Sequence, residues 1–168
     1  AIPAAFESDE YRNRREALEA TLKERREAAL MDFERLAASK GLALLRTPVG
    51  VGLAPLHDGK VLDRDQVAAL PEEDRRKLAE ASGELEAKLG DLVQRQFPAW
   101  ERDTRTAIRE TGQDVARRAV GHLIDEVRAG HADHEEIVEH LATLEADVVA
   151  NAEEFLAAAQ PRELPSLI

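Results

Sequence analysis

The sequence contains no cysteine, which excludes disulfide bonds, thiolate metal sites and a cysteine nucleophile. Aromatic residues account for only 4% of the chain, so a thick β-sheet core is not expected. No apolar run approaches the roughly 20 residues that a membrane-spanning helix requires, and no stretch resembles a signal peptide. These features predict a cytoplasmic protein without a membrane partner.

Charge is abundant: 34% of the 168 residues are Asp, Glu, Lys or Arg, and the formal net charge is −11. Acidic and basic side chains are interleaved along the chain, so no basic face is expected. Because phosphate binding requires clustered Lys and Arg, we expect no nucleic-acid partner. The apolar residues are largely Ala and Leu, which is typical of long helices and coiled coils.

Apolar residues recur at every third or fourth position over most of the chain, which is the spacing of one helix face. The first helix is expected to begin at Ser8 or Asp9, either of which can accept a hydrogen bond from the first turn. It should end near Lys40, because Gly41 supplies a C-terminal stop. Its apolar stripe consists of Tyr11, Leu18, Leu22, Ala29, Phe33 and Leu36.

A longer helix is predicted over about 71–130, after a short helix whose start combines a capping Asp63 with Gln66. Pro98 must bend or break the long helix, because proline removes a hydrogen bond and clashes with the preceding turn. We interpret His122, which lies on its apolar stripe, as a half-buried hydrogen-bonding residue. The stripe runs through Leu78, Ala81, Leu85, Leu89, Leu92, Trp100, Thr104, Ile108, Thr111, Val115, Ala119, His122 and Val127.

Asp133 is expected to cap a last helix that ends near Ala159. Its apolar side carries Ile137, Leu141, Leu144, Val148, Ala152 and Phe155. The fold is therefore predicted to be mainly α, an elongated antiparallel bundle or coiled coil of long helices with a small β-hairpin insert. The expected organisation is a lead-in at 1–8, a helical domain at 9–159 and a flexible tail at 160–168.

The hairpin insert is expected at about 42–62, where short apolar runs flank turn residues. Two strands should meet at Thr47-Pro48, and a second turn at 57–60 allows a brief third pairing at Val61-Leu62. The insert offers more apolar surface than a hairpin needs for solubility, and such surface usually marks a contact. The candidate contact residues are Val49, Val51, Leu53 and Leu56. An alternative is that these side chains simply pack on the helices.

No set of residues has the spacing of a catalytic or metal site. Gly59-Lys60 does not end a phosphate loop, because Ala54 and Val61 replace the required glycine and hydroxyl residue. No serine lies in a nucleophile elbow. Three histidines near acidic residues are interpreted as part of a solvated helix start rather than metal ligands: His131, His134 and His140. We therefore predict no catalytic, cofactor-binding or metal-binding residue.

Three stretches together resemble the helical region of Lon-related ATP-dependent proteases of bacteria and archaea, the C-type Lon-like group included. They are RTPVGVGLAPL at 46–56, ALPEEDR at 69–75 and AVGHLIDE at 119–126. Their order and spacing fit that family, and the resemblance covers roughly residues 10–157.

The resemblance implies a helical insertion within an AAA+ module whose parent protein carries a serine–lysine protease dyad and forms a ring, usually a hexamer. This chain would then be a non-catalytic arm that binds unfolded protein or gates the proteolytic chamber, with the remainder of the AAA+ protease as its partner. ATP and Mg²⁺ are implied for the parent only, because this chain has neither phosphate loop nor dyad. A start without methionine is expected of a segment of a longer protein. The alternatives are a self-associating coiled-coil scaffold and, less favoured, an independent enzyme.

Overall fold

Long helices and one small antiparallel sheet make up the part of the chain that the structure describes, which is Ala5, residues 8–48 and residues 50–154. The structure is a computed structural model. Its elements are α1 (Asp9–Ser39), β1 (Leu42–Thr47), β2 (Gly50–His57), β3 (Lys60–Val61), α2 (Arg64–Ala68), α3 (Glu72–Asp91), a π-helical segment (Leu92–Gln96), α4 (Phe97–Gly130) and α5 (Glu135–Ala150). The prediction of a mainly α fold with a small β insert is confirmed. Several parts of the chain with sequence-based expectations lie outside the described residues: Val49, Phe155, the tail at 160–168 and most of the lead-in.

Helix α1 begins and ends as the sequence predicts. The backbone N–H of Tyr11 donates to Oγ of Ser8 at 3.3 Å, which satisfies one of the free donors of the first turn. At the other end Gly41 adopts a φ of 75°, a left-handed conformation that glycine takes without a steric penalty. The chain therefore turns directly from α1 into β1.

The long helical stretch continues past Pro98 without a break. The residues just before the proline form a π-helical segment, in which the N–H of Phe97 donates to the carbonyl of Leu92, five residues earlier. A wider turn at this place lets the helix continue beside a residue that has no N–H to donate. The break expected at Pro98 is therefore not observed: the helix continues through the π-helical segment into α4.

The sheet has the strand order β1-β2-β3, with both pairs antiparallel. In the first hairpin Thr47 lies opposite Gly50, and Leu44 lies opposite Leu53. Strand β2 packs against α3. The capping box of α2 is also present: the N–H of Gln66 donates to Asp63 Oδ1 at 2.8 Å, and the N–H of Asp63 donates to Gln66 Oε1 at 2.9 Å. The predicted hairpin, third pairing and short helix are all observed.

One of two compact units comprises residues 21–102 and has a core shared by the helices and the sheet. Its buried residues are Phe33, Ala37, Leu42, Leu44, Leu85, Leu89 and Leu92. Leu85 is fully enclosed, which agrees with its place on the predicted stripe. The sheet buries one face of its first hairpin here, so the β insert is an integral part of this unit.

The other unit comprises residues 1–20 and 103–168, and its described core is small. Val115, Ala116 and Ala152 are buried, with Ala5 and Tyr11 packed beside them. Three sequence predictions fail in this unit. His122 is exposed rather than half-buried, α5 is preceded by His134 rather than capped by Asp133, and part of the predicted stripe faces solvent: Val127, Ile137 and Leu144.

Candidate functional site

The candidate contact residues of the sheet take different places in the structure. Val51 and Leu53 are half-buried and pack against the core of their unit. Leu56 is also half-buried and lines a shallow depression of about 290 Å³ beside Leu62 and Leu78. Packing on the helices is therefore observed for Val51 and Leu53, and contact of these side chains with a substrate stays a prediction.

Two other apolar side chains of the sheet are exposed, Leu45 at 40% and Val61 at 48%. Leu45 lies opposite Gly52, which has no side chain to cover it, and Val61 lies opposite Leu56. Positions 52 and 56 of β2 are four residues apart, so strand alternation places all four residues on the same face. The same alternation places Ala54 on this face between Gly52 and Leu56, and Ala54 is buried. We call Leu45, Gly52, Leu56 and Val61 the outer face of the sheet, whose exposed residues are Leu45 and Val61. The opposite face carries Leu44 and Leu53 into the core.

Sequence reasoning did not single out Leu45 or Val61. The pairing of Thr47 with Gly50 sets the register of the hairpin, and this register places Leu45 opposite a glycine. Leu44, Leu45 and Leu53 have the same hydropathy, so hydropathy alone did not separate the core face from the outer face.

Arg46 connects β1 to α1. One guanidinium nitrogen lies 2.8 Å from Glu27 Oε1, and the other lies 3.9 Å from Glu34 Oε2. These side chains are largely exposed, so the pairs contribute at most about 1 kcal/mol each. Their effect here is to place two carboxylates and one guanidinium beside the edge of the sheet.

An apolar groove lies between α1 and the α3–π segment of the same unit. It has a volume of about 620 Å³ and is bordered by the charged residues Asp32, Lys88 and Asp91. Its apolar lining consists of Ala29, Phe33, Leu36, Ala87 and Leu92. Such a groove can accept apolar side chains, and it has the surroundings of a packing surface rather than of a catalytic centre.

Aromatic residues stabilise the segment that follows the π turn. The guanidinium of Arg25 lies 4.1 Å from the ring centre of Trp100, and that of Arg26 lies 5.4 Å from the ring centre of Phe97. Arg26 also contacts Glu101 at 3.4 Å. Cation–π contacts of this kind contribute about 0.5–2 kcal/mol and hold α1 against the start of α4.

Glu84 and Tyr11 are among the described groups whose pKa values are shifted by their surroundings. Hydrogen bonds from Lys40 and Lys88 lower the pKa of Glu84 to about 2. Burial raises the pKa of Tyr11, with Arg15 acting in the opposite direction. Both groups sit in packing or ion-pair surroundings, so neither shift indicates an acid–base catalyst.

Within the described ranges, no three His, Asp or Glu side chains come together as a metal site would require. None of the helices in the same ranges is both long and apolar enough to cross a membrane. Comparison with protein-family models, with curated proteins and with solved structures finds no match to this chain.

Proposed function

We propose that this chain is a non-catalytic helical arm, of the kind found in Lon-like AAA+ serine proteases, that binds unfolded protein substrate. The observation that carries the proposal is the outer face of the sheet, where Leu45 and Val61 are exposed on a scaffold of long helices. Unfolded proteins expose apolar side chains that folded proteins bury, so an exposed apolar face suits them as partners. Gating of the proteolytic chamber is the alternative role for the same arm.

The continuity of one compact unit along the sequence supports an inserted arm. Residues 21–102 form one compact unit as a single continuous segment, and α1 and α4 each run across a boundary of that segment. The proposal includes the remainder of an AAA+ protease chain as partner, a hexameric ring for the parent protein, ATP and Mg²⁺ bound elsewhere in that parent, and a cytoplasmic location.

The size of the outer face limits the affinity that it can supply. Full burial of a Leu or Val side chain stabilises by about 1.5–3 kcal/mol, and a dissociation constant of about 1 mM corresponds to about 4 kcal/mol. Leu45 and Val61 are already partly buried, so together they supply less than the roughly 4 kcal/mol that millimolar binding requires. Tighter binding requires further contacts, and weak single contacts suit a protein that must release its substrate.

A titration with matched variants tests the proposal. The chain is added to fluorescein-labelled β-casein, a permanently unfolded protein, and anisotropy is recorded for the wild type, Leu45→Asp, Val61→Asp and Met31→Asp. Met31 lies on α1 and is 48% exposed, so Met31→Asp controls for adding a carboxylate at an equally exposed site. We expect the two sheet variants to weaken binding several-fold and the control to match the wild type. Equal binding by all four proteins would reject the outer face as the contact surface.

A second candidate function is self-association as a coiled-coil scaffold, and exposed apolar residues of α4 and α5 favour it. The ion pair between Arg128 and Glu145, at 3.3 Å, joins these helices. The helical period places four exposed apolar side chains on one side of this pair. They are Leu123, Val127, Ile137 and Leu144. This candidate includes the elongated antiparallel bundle expected from the sequence.

Sedimentation equilibrium separates the second candidate from the first. Self-association through this surface predicts a concentration-dependent mass that Leu123→Asp abolishes and Met31→Asp preserves. A monomer at every concentration would reject the scaffold and leave the binding proposal in place.

A further inference from the structure

The backbone N–H and C=O groups of successive β1 residues point alternately towards and away from β2. Hydrogen bonds at the strand ends show which residues point towards β2. The N–H of Leu56 donates to the carbonyl of Gly41 at 2.8 Å, so Leu56 directs its backbone groups towards the β1 side of the sheet. Alternation in an antiparallel pair then directs every second residue of β1 towards β2: Ala43, Leu45 and Thr47. The backbone groups of Leu44 and Arg46 therefore point away from β2.

The other side of β2 confirms this assignment. The N–H of Leu62 donates to the carbonyl of Pro55 at 2.9 Å, so Pro55 directs its carbonyl towards β3. Pro55 is next to Leu56 in β2, and adjacent residues of a strand direct their hydrogen-bonding groups to opposite sides. Proline has no N–H, which suits a position where β3 is only two residues long.

Strand β1 is an edge of the sheet along its whole length. Among the described residues, the outward N–H and C=O groups of Leu44 and Arg46 have no hydrogen-bond partner. Leu44 is buried, whereas residues 45–47 are exposed, so Arg46 is the accessible outward position. An exposed edge of this kind is a template for pairing with another extended chain.

We propose that β1 binds an extended segment of unfolded polypeptide as an added strand, paired at Arg46. This inference rests on the proposed function and identifies how the substrate is held. Backbone hydrogen bonds to an added strand do not depend on the side chains of the substrate, which suits a binder of many unfolded proteins. They also supply the affinity that Leu45 and Val61 lack.

The charges beside the edge of the sheet favour some sequences of the added strand over others. Glu27 and Glu34 of α1 share the single guanidinium of Arg46, so these three side chains beside the edge together carry one excess negative charge. Basic residues in the added strand are therefore favoured over acidic ones. Because these groups are exposed, this preference weakens as the salt concentration rises.

Two matched comparisons test strand addition in the full chain. The first compares Arg46→Pro with Arg46→Ala: both remove the side chain and its ion pairs, but only proline removes the outward N–H. Because that N–H does not belong to the β1–β2 ladder, proline is tolerated there. We expect Arg46→Pro to weaken binding of labelled β-casein about tenfold, and Arg46→Ala to stay within about threefold of the wild type.

The second comparison changes the ligand instead of the protein. The probe is a ten-residue peptide that alternates valine with serine between terminal lysines, with and without N-methylation of its four central residues. N-methylation removes donors from both edges of the peptide while leaving its side chains unchanged. We expect the methylated peptide to bind at least tenfold more weakly. If circular dichroism shows that Arg46→Pro does not fold, the peptide comparison alone tests strand addition.

The outcomes separate strand addition from the proposed function. Equal binding of both peptides, or equal effects of Arg46→Pro and Arg46→Ala, would overturn strand addition while β-casein binding still supports capture of unfolded protein. Failure of the wild type to bind β-casein and the unmodified peptide would overturn both.

Discussion

Lys40, the residue that follows α1, forms an ion pair with Glu84 in the middle of α3. Nζ of Lys40 lies 2.5 Å from Oε2 of Glu84. Lys88, one turn further along α3, contacts the same carboxylate at 2.8 Å. These contacts hold the two helices of the sheet-bearing unit in register at the point where the chain enters β1. They also lower the pKa of Glu84 from 4.5 to about 2.

The shifted pKa of Glu84 predicts a pH-dependent contribution to stability. Because the folded pKa lies below the unfolded value, the contribution is present above about pH 4.5 and is lost as the pH falls towards 2. We expect the difference in unfolding free energy between the wild type and Glu84→Gln to shrink over this window in urea titrations. High salt should reduce the difference at pH 7, because the group is exposed. A difference that is constant from pH 7 to pH 2 would contradict the assignment.

Truncation of Leu85 should be among the most damaging single changes in the chain. Leu85 is 0% exposed at the centre of the core, so Leu85→Ala leaves a cavity and should cost about 2–5 kcal/mol in unfolding free energy. Leu123→Ala is the matched control, since Leu123 is 51% exposed and its loss should cost under about 0.5 kcal/mol. Urea unfolding followed by circular dichroism measures both, and equal costs would contradict the described core.

Asp63→Ala should loosen α2 locally. The change removes the acceptor of the Gln66 N–H, which lies 2.8 Å from Asp63 Oδ1, and a lost cap costs about 1 kcal/mol. Amide hydrogen exchange at Gln66 should become about five- to tenfold faster. Asp65→Ala is the control, because its side chain does not cap the helix. Unchanged exchange at Gln66 in Asp63→Ala would show that the cap contributes little.

The two faces of the sheet should respond differently to a carboxylate. Leu53→Asp places a charge against the core and should cost about 2 kcal/mol or more of unfolding free energy, with loss of helicity if the unit unfolds. Leu45→Asp, on the exposed outer face, should change stability by less than about 0.5 kcal/mol. Thermal unfolding by circular dichroism compares them, and a stable Leu53→Asp protein would contradict the assigned faces.

Local signals in the sequence predict most of the elements. Apolar periodicity and end residues such as Ser8 and Gly41 place α1, and the Asp63–Gln66 pattern places α2, because these signals act within a few residues. The turn residues between the apolar runs place the hairpin for the same reason. Pro98 signals an irregular helix, but the π turn depends on how neighbouring residues pack, which local patterns do not specify.

What covers each apolar stripe could not be read from the sequence. His122 and Leu144 have the spacing of core residues, yet both are exposed, because burial requires a neighbouring element at that level of the helix. The exposed residues of the candidate site could not be predicted for the same reason. Leu53 and Leu45 are equally hydrophobic, and only the register of the hairpin separates the core face from the outer face.

Binding of unfolded protein to the outer face is tested most directly by the anisotropy of labelled β-casein titrated with this chain at low and at moderate salt. Moderate salt does not screen apolar and backbone contacts, whereas it screens attraction between exposed charges over about 10 Å at 0.1 M. We expect saturable binding that persists at moderate salt and is weakened by Leu45→Asp. Binding that disappears with salt, or that Leu45→Asp leaves unchanged, would contradict the proposal.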